Sequence, residues 1–217
     1  MPLIITGIIA VVIVIIVVLA TRSKGRPSGE NRPGNTSGGN KPGFWEWIFT
    51  PEYKRVGIWG EEAAVSAIQS VLREGDRLFT NVSIEYDGKP AELDNVVVNK
   101  YGVFIIEVKN YTGRIIGGED DYEWQKFKTT VAGNTYEKTV KNPIKQVKRQ
   151  VYILARYLEY YGPKVWVRGY AILLHNNSPV QSEYMLTSIA DIDRAIHTAD
   201  RRMLDAKTVE KVSELLS

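Results

Sequence analysis

The sequence predicts an α/β domain, a mixed sheet flanked by helices, preceded by one apolar helix long enough to cross a membrane. Three observations carry this expectation. Strand-length apolar runs crowd into residues 78–109, helical periodicity appears on both sides of them, and Leu3 to Ala20 is an 18-residue run without a charge.

At about 1.5 Å per residue the first run would span roughly 27 Å, close to the hydrocarbon core of a bilayer. Arg22, Lys24, Arg26 and Arg32 follow it. The positive-inside rule keeps them cytoplasmic, so the expected arrangement is a single-pass anchor in the cell membrane, N-terminus outside and globular part in the cytoplasm. A cleaved leader is the rival reading, but the run has no positive n-region and no A-x-A site. Residues 21–43, rich in Gly, Pro, Ser and Asn, are expected to form a flexible basic tether. They lead into a domain over 44–180 and a helical extension over 181–217 packed on it. The aromatic run Phe44-Trp-Glu-Trp-Ile-Phe49 opens that domain and is expected to dock onto it.

Charge is distributed unevenly. Residues 1–43 hold five Lys/Arg and one Glu, a net of +4 in a chain of net +3, which leaves −1 for residues 44–217. The basic surplus therefore sits where it would meet anionic lipid. The globular part can bind polyanions only through local patches. The absence of cysteine excludes a disulfide framework and thiolate metal sites. There is no P-loop and no G-x-G-x-x-G, and His175 and His197 have no neighbouring ligand pattern.

Along the domain, residues 57–73 have a helical pattern with Ala64, Val65, Ile68, Val71 and Leu72 on one face. Strands are expected at about 78–86, 91–98 and 103–109, with extended stretches at 113–118 and 122–127. Asn142-Pro143 starts a helix, Asn as N-cap and Pro in the first turn, which runs to about Tyr161 and stops at Gly162-Pro163. Tyr157, Tyr160 and Tyr161 are expected to pack at its end. Val165 to Leu174 is a further strand, and short helices near 189–197 and 206–216 close the chain.

One strand carries charges that a buried strand should avoid. Val103-Phe-Ile-Ile-Glu-Val-Lys-Asn110 places Glu107 and Lys109 on the same face, with Val108 on the other. Acid-x-Lys occurs four times in the chain, but only here at the end of an apolar run; the bland alternative is a strand emerging into water. Asp94 opens the preceding strand, and Asn99-Lys-Tyr-Gly102 suits a hairpin turn. With an even loop, paired positions add to 201 and Asp94 faces Glu107; a three-residue loop with a bulge would shift the register by one and turn Asp94 to the other face. Two acids so placed repel unless a divalent cation lies between them. Glu61 falls on the apolar face of the first helix, through either a site role or the preference of a helix's first turn for acids. Gln146 lies among Lys141, Lys145 and Lys148, either a solvated helix face or a phosphate-facing one.

Together, RVGIWGEE at 55–62, ELDNVVV at 92–98, GVFIIEVKN at 102–110 with YTGRIIGG behind it, Trp124, and NPIKQ at 142–146 resemble the nuclease-related domain family, in the family's order over about residues 55–175. Asn95 departs from it, since His is commoner after the Asp. The resemblance implies a restriction-endonuclease-like sheet whose signature is an Asp followed by Asp/Glu-x-Lys. It implies that Asp94, Glu107 and the Val108 carbonyl hold Mg²⁺ or Mn²⁺, with Lys109 orienting or helping to deprotonate water, Glu61 as an auxiliary ligand and Gln146 positioning water or phosphate. The expected protein is a membrane-anchored, metal-dependent nuclease of DNA at the cytoplasmic face. A binding or scaffolding module that keeps the fold without turnover is the alternative; a secreted nuclease is a third reading.

Overall fold

The computed structural model describes residues 59–217 apart from positions 131 and 200, with side chains from Glu62 onward. The apolar run at 3–20, the tether at 21–43 and the aromatic run at 44–49 lie outside the described residues. Among the described residues no helix is long and apolar enough to cross a membrane.

The element order is α1 (Trp59–Val71), β1 (Arg77–Tyr86), β2 (Lys89–Asn99), β3 (Gly102–Lys109), β4 (Arg114–Ile116), β5 (Glu123–Thr129), β6 (Thr135–Lys141), α2 (Pro143–Tyr161), β7 (Val167–Leu173), β8 (Met185–Leu186), α3 (Ile189–His197) and α4 (Ala206–Leu215). Five strands make the main sheet in the order β1-β2-β3-β7-β8, and β4-β5-β6 make a second sheet. The first two pairings of the main sheet are antiparallel hairpins; β3–β7 and β7–β8 are parallel. This is the mixed sheet that the sequence predicts. The strands β6 and β8 were not expected: TYEKTVK is mostly exposed and lacks an apolar alternation, and β8 has only two residues.

β3 is buried along almost its whole length because helices cover both faces of the sheet. On one face, Val103 and Ile105 meet Ile153, Leu154 and Leu158 of α2 and Val209 and Val212 of α4. On the other, Phe104, Ile106 and Val108 meet Ala64, Ala67 and Ile68 of α1 and Ile192 and Ile196 of α3. Residues 181–217 thus supply β8 and part of both cores. A third cluster seats the second sheet on the start of α2, with Ile115, Trp124, Ile144 and Val147 together. His197 is buried between Asp76 (2.8 Å) and Asp193 (2.7 Å), which ties the end of α3 to the turn before β1.

The β1–β2 hairpin is kinked. In an unbroken strand Phe79 and Val82 would face opposite sides of the sheet, as would Leu93 and Val96. All four pack in the α2-side core. The reversal falls at Asn81, whose φ is +54°, and at Asp94 across from it; the strand pairing passes over both. Asp94 is therefore released from the ladder at the point where β3 ends.

Candidate active site

Glu107, Lys109 and their neighbours project from β3 towards α2, the face that also carries Val103 and Ile105. The β2–β3 register runs from Asn95↔Ile106 to Asn99↔Gly102 around a two-residue loop, the register in which positions add to 201. Asp94 lies one step beyond the last pair. Its carboxylate accepts a hydrogen bond from the Val108 N–H at 2.9 Å, so its oxygens lie against the backbone next to Glu107. Lys109 directs its main-chain carbonyl to Leu174, just past β7 (3.1 Å). Alternate carbonyls of a strand point opposite ways, so that of Val108 is turned to the β2 side, where Asp94 is.

The Glu107 side chain is completely buried, and three side chains reach it. Lys109 makes an ion pair with Oε1. Gln146 donates to the same oxygen at 2.6 Å, and Gln150 donates to Oε2 at 2.6 Å. Gln150 also donates to the Glu92 carbonyl at 2.8 Å, which links the helix to β2. Its own Oε1 is buried and has no partner. Gln150 was missed in the sequence, although it lies four residues after Gln146 and so one turn further along the same side of the helix.

Burial pushes the Glu107 carboxyl above the ordinary range; the Lys109 and Gln150 hydrogen bonds oppose this and the Asp94 charge adds to it. For Lys109, burial works to lower the ammonium, but its hydrogen bond to Glu107 and the charges of Glu107 and Asp94 outweigh this and hold the group above its usual value. Lys109 is thus an ammonium at neutral pH.

The position of Gln146 depends on the start of α2. Asn142 caps the helix, its Oδ1 accepting from Ile144 N–H at 2.9 Å. Its Nδ2 donates to the carbonyls of Glu119 (2.9 Å) and Asp121 (2.8 Å). The fully buried Trp124 donates to the Gly118 carbonyl at 2.8 Å. Gly117 packs flat on that indole: an added Cβ would lie 2.1 Å from Trp124 Cδ1. Gly117-Gly118, Trp124 and Asn142-Pro143 therefore act as one bracket that fixes the helix carrying Gln146 and Gln150.

The donor types suit a hard cation. The Asp94 carboxylate bonds the backbone next to Glu107 and its charge acts on that residue, and Mg²⁺ is commonly held by one or two carboxylates with water completing the shell. The unpartnered Gln150 oxygen leaves a further polar atom at the same place. Among the described residues, however, no three or more His, Asp or Glu side chains gather at one point. The expected additional acid, Glu61, lies in the first turn of α1, and its side chain is outside the described ones.

With this geometry in place, a family model decides the affiliation: the nuclease-related domain, NERD, matches residues 56–174. The chain belongs to the NERD family. Comparisons with curated proteins and with solved structures gave no match. The NERD segment runs from before α1 to just beyond β7, and so includes Asp94, Glu107, Lys109, Gln146 and Gln150 together with the bracket that positions them. A nuclease-related function is the reading that this membership supports.

A divalent cation held by Glu107 would compete with its proton. A carboxyl with a raised folded-state pKa favours the fold while protonated, and that contribution is lost as pH rises through the raised value. Magnesium should therefore raise Tm little in acid and progressively more as pH climbs past the ordinary carboxylate range, with Glu107→Gln removing the increment. Thermal scans at several pH values with and without Mg²⁺ check this. An increment independent of pH would exclude Glu107 as a ligand.

Proposed function

We propose that this NERD protein is a metal-dependent nuclease with a restriction-endonuclease-like centre, acting on DNA at the cytoplasmic face of a membrane that residues 3–20 anchor it to. The observation that carries the reading is the buried acid Glu107 held by an ammonium and two amides, with the Asp94 carboxylate bonded to the backbone of the next residue where β3 ends. Asp94, Glu107 and the Val108 carbonyl would hold Mg²⁺ or Mn²⁺, which supplies positive charge for the phosphorane-like transition state. The two acids favour the charged form of Lys109. Its proposed task is to orient the attacking water and stabilise charge on the phosphate. Gln146 keeps the Glu107 carboxylate turned correctly, and Gln150 ties the same group to β2. Glu61 remains a proposed auxiliary ligand.

The alternative is a non-cleaving module at the membrane that uses the fold for binding. One observation favours it: both Glu107 oxygens are already hydrogen-bonded by side chains, so the centre is closed without a cation. Incubation of the full chain with plasmid, linear and single-stranded DNA, with and without Mg²⁺, separates the two. Cleavage that needs the metal supports the nuclease; intact substrate at saturating Mg²⁺ with retained DNA binding supports the module.

Gln146→Ala should lower the cleavage rate by about 10- to 100-fold, the usual effect of losing a group that orients a metal-binding carboxylate. Its Tm should stay near that of the parent, because Gln150 and Lys109 still hold Glu107. Unchanged kinetics would reduce Gln146 to a structural role.

A further inference from the structure

The helix α2 has no acidic residue in its first turn, although its dipole favours acids there. Lys141, Lys145 and Arg149 stand at this end instead and line a groove of about 720 Å³, shared with Gln146, Gln150 and the hairpin residue Pro90. Gln146 and Gln150 are the amides that hold Glu107, so the groove adjoins the proposed centre. Acids nearby are Glu92 and Glu123 on its rim, and Asp120, which holds Lys145 at 3.0 Å in a solvent-exposed pair.

The row continues beyond the groove. Residues 145, 149, 152, 156 and 160 recur at helical spacing on one side of α2. Arg149, Tyr152, Arg156 and Tyr160 are all exposed, with Tyr152 at 52% and Tyr160 at 71%. The expectation that the terminal tyrosines pack at the helix end holds only for Tyr157, which donates to Leu215 O at 3.3 Å. Tyr160 stands out in solvent between Tyr161 (ring centroids 4.7 Å apart) and Tyr86 (6.0 Å). Arg156 is held by Glu159 at 2.7 Å in another exposed pair.

Alternating cations and aromatic faces are unusual on a helix whose other side is fully packed. A duplex presents phosphates but keeps its base faces stacked; a single strand presents both. We propose that this row is a track for single-stranded nucleic acid, running from the groove beside Glu107 along α2 to Tyr160. The inference rests on the nuclease-related reading for the class of polyanion. From residue 145 to 160 the helix rises roughly 22 Å, room for about six nucleotides at about 3.4 Å each. Lys145 and Arg149 hold phosphates at the groove, and Tyr152 and Tyr160 stack bases.

The test is fluorescence anisotropy on the full chain in mild detergent and EDTA, with labelled dT12, rU12 and a 12-base-pair DNA duplex. Expected is tighter binding of the single strands than of the duplex, by about 10-fold or more. Tyr152→Ala with Tyr160→Ala should weaken single-strand binding about 10- to 100-fold and leave duplex binding unchanged, while Phe at both positions restores it. Lys145→Ala with Arg149→Ala should weaken every probe and flatten the salt dependence. Duplex preference, absence of binding, or parental affinity in the double tyrosine-to-alanine variant overturns the track; the relative affinities for dT12 and rU12 identify which sugar it takes. Binding in EDTA does not involve catalysis. A chain that binds single strands through the tyrosines but never cuts with Mg²⁺ keeps the track and loses the nuclease, and a cutting chain indifferent to the tyrosines does the reverse.

Discussion

Asp94→Asn should abolish metal-dependent cleavage, with a fall of about 10³-fold or more, and leave the fold intact. Asparagine has the shape of the aspartate, and its oxygen can still accept the hydrogen bond from Val108 N–H. What disappears is one negative charge beside Glu107. A metal centre of two carboxylates that loses one keeps too little charge to hold the ion, and a loss of about 10³ in rate corresponds to about 4 kcal/mol of transition-state stabilisation. The substitution also removes a charge that pushes Glu107 upwards, so the metal-free variant should be as stable as the parent or slightly more so. Cleavage of linear DNA by the parent and the variant, with circular dichroism on both, is the measurement. A variant that cuts at the parental rate would end the assignment of Asp94, and the two-acid centre with it.

Trp124→Ala should have the largest effect on stability, about 3–5 kcal/mol, as expected for emptying a buried aromatic site. Trp124 is completely buried against Ile144 and Val147, and its indole N–H satisfies the Gly118 carbonyl. For a domain of this size the loss corresponds to a fall in Tm of roughly 10 °C or more. Activity should drop as well, because the same bracket fixes Asn142 and hence the first turn of α2, on which Gln146 sits. Gly117→Ala should reproduce much of the loss by pushing on the indole from outside. Denaturant unfolding of both variants is decisive: a change below about 1 kcal/mol for Trp124→Ala would mean that the second sheet does not brace the helix.

Particular residues explain how much of this was legible. The hairpin turn at Asn99-Lys-Tyr-Gly102 was legible because turn chemistry is local, while its register was assumed from an even loop; the Asn99 side chain accepts from Tyr101 N–H at 2.8 Å within that turn. The start of α2 followed from Asn142-Pro143 for the same reason, because a cap acts within its own few residues. The helices at 189–197 and about 206–216 were equally local, and both have side-chain caps, from Ser188 and Asp205. Gln150 was not singled out because its importance comes from Glu107, 43 positions away in the chain. Tyr160 and Tyr161 look like core residues by type, but the helix ends with that side turned to water.

The sequence by itself determined the helices, most of the strands and the buried β3 with its Glu107 and Lys109, all of which depend on spacing within short stretches, and its motifs carried the resemblance to the nuclease-related family. Only the tertiary structure decided that Asp94 turns in to the end of β3, that Glu107 is shared by Lys109, Gln146 and Gln150, and that Lys109 stays protonated. The reason is physical. The kink at Asn81 and the bracket around Trp124 are set by packing between distant segments, and the charge state of a buried group depends on everything that burial brings to it.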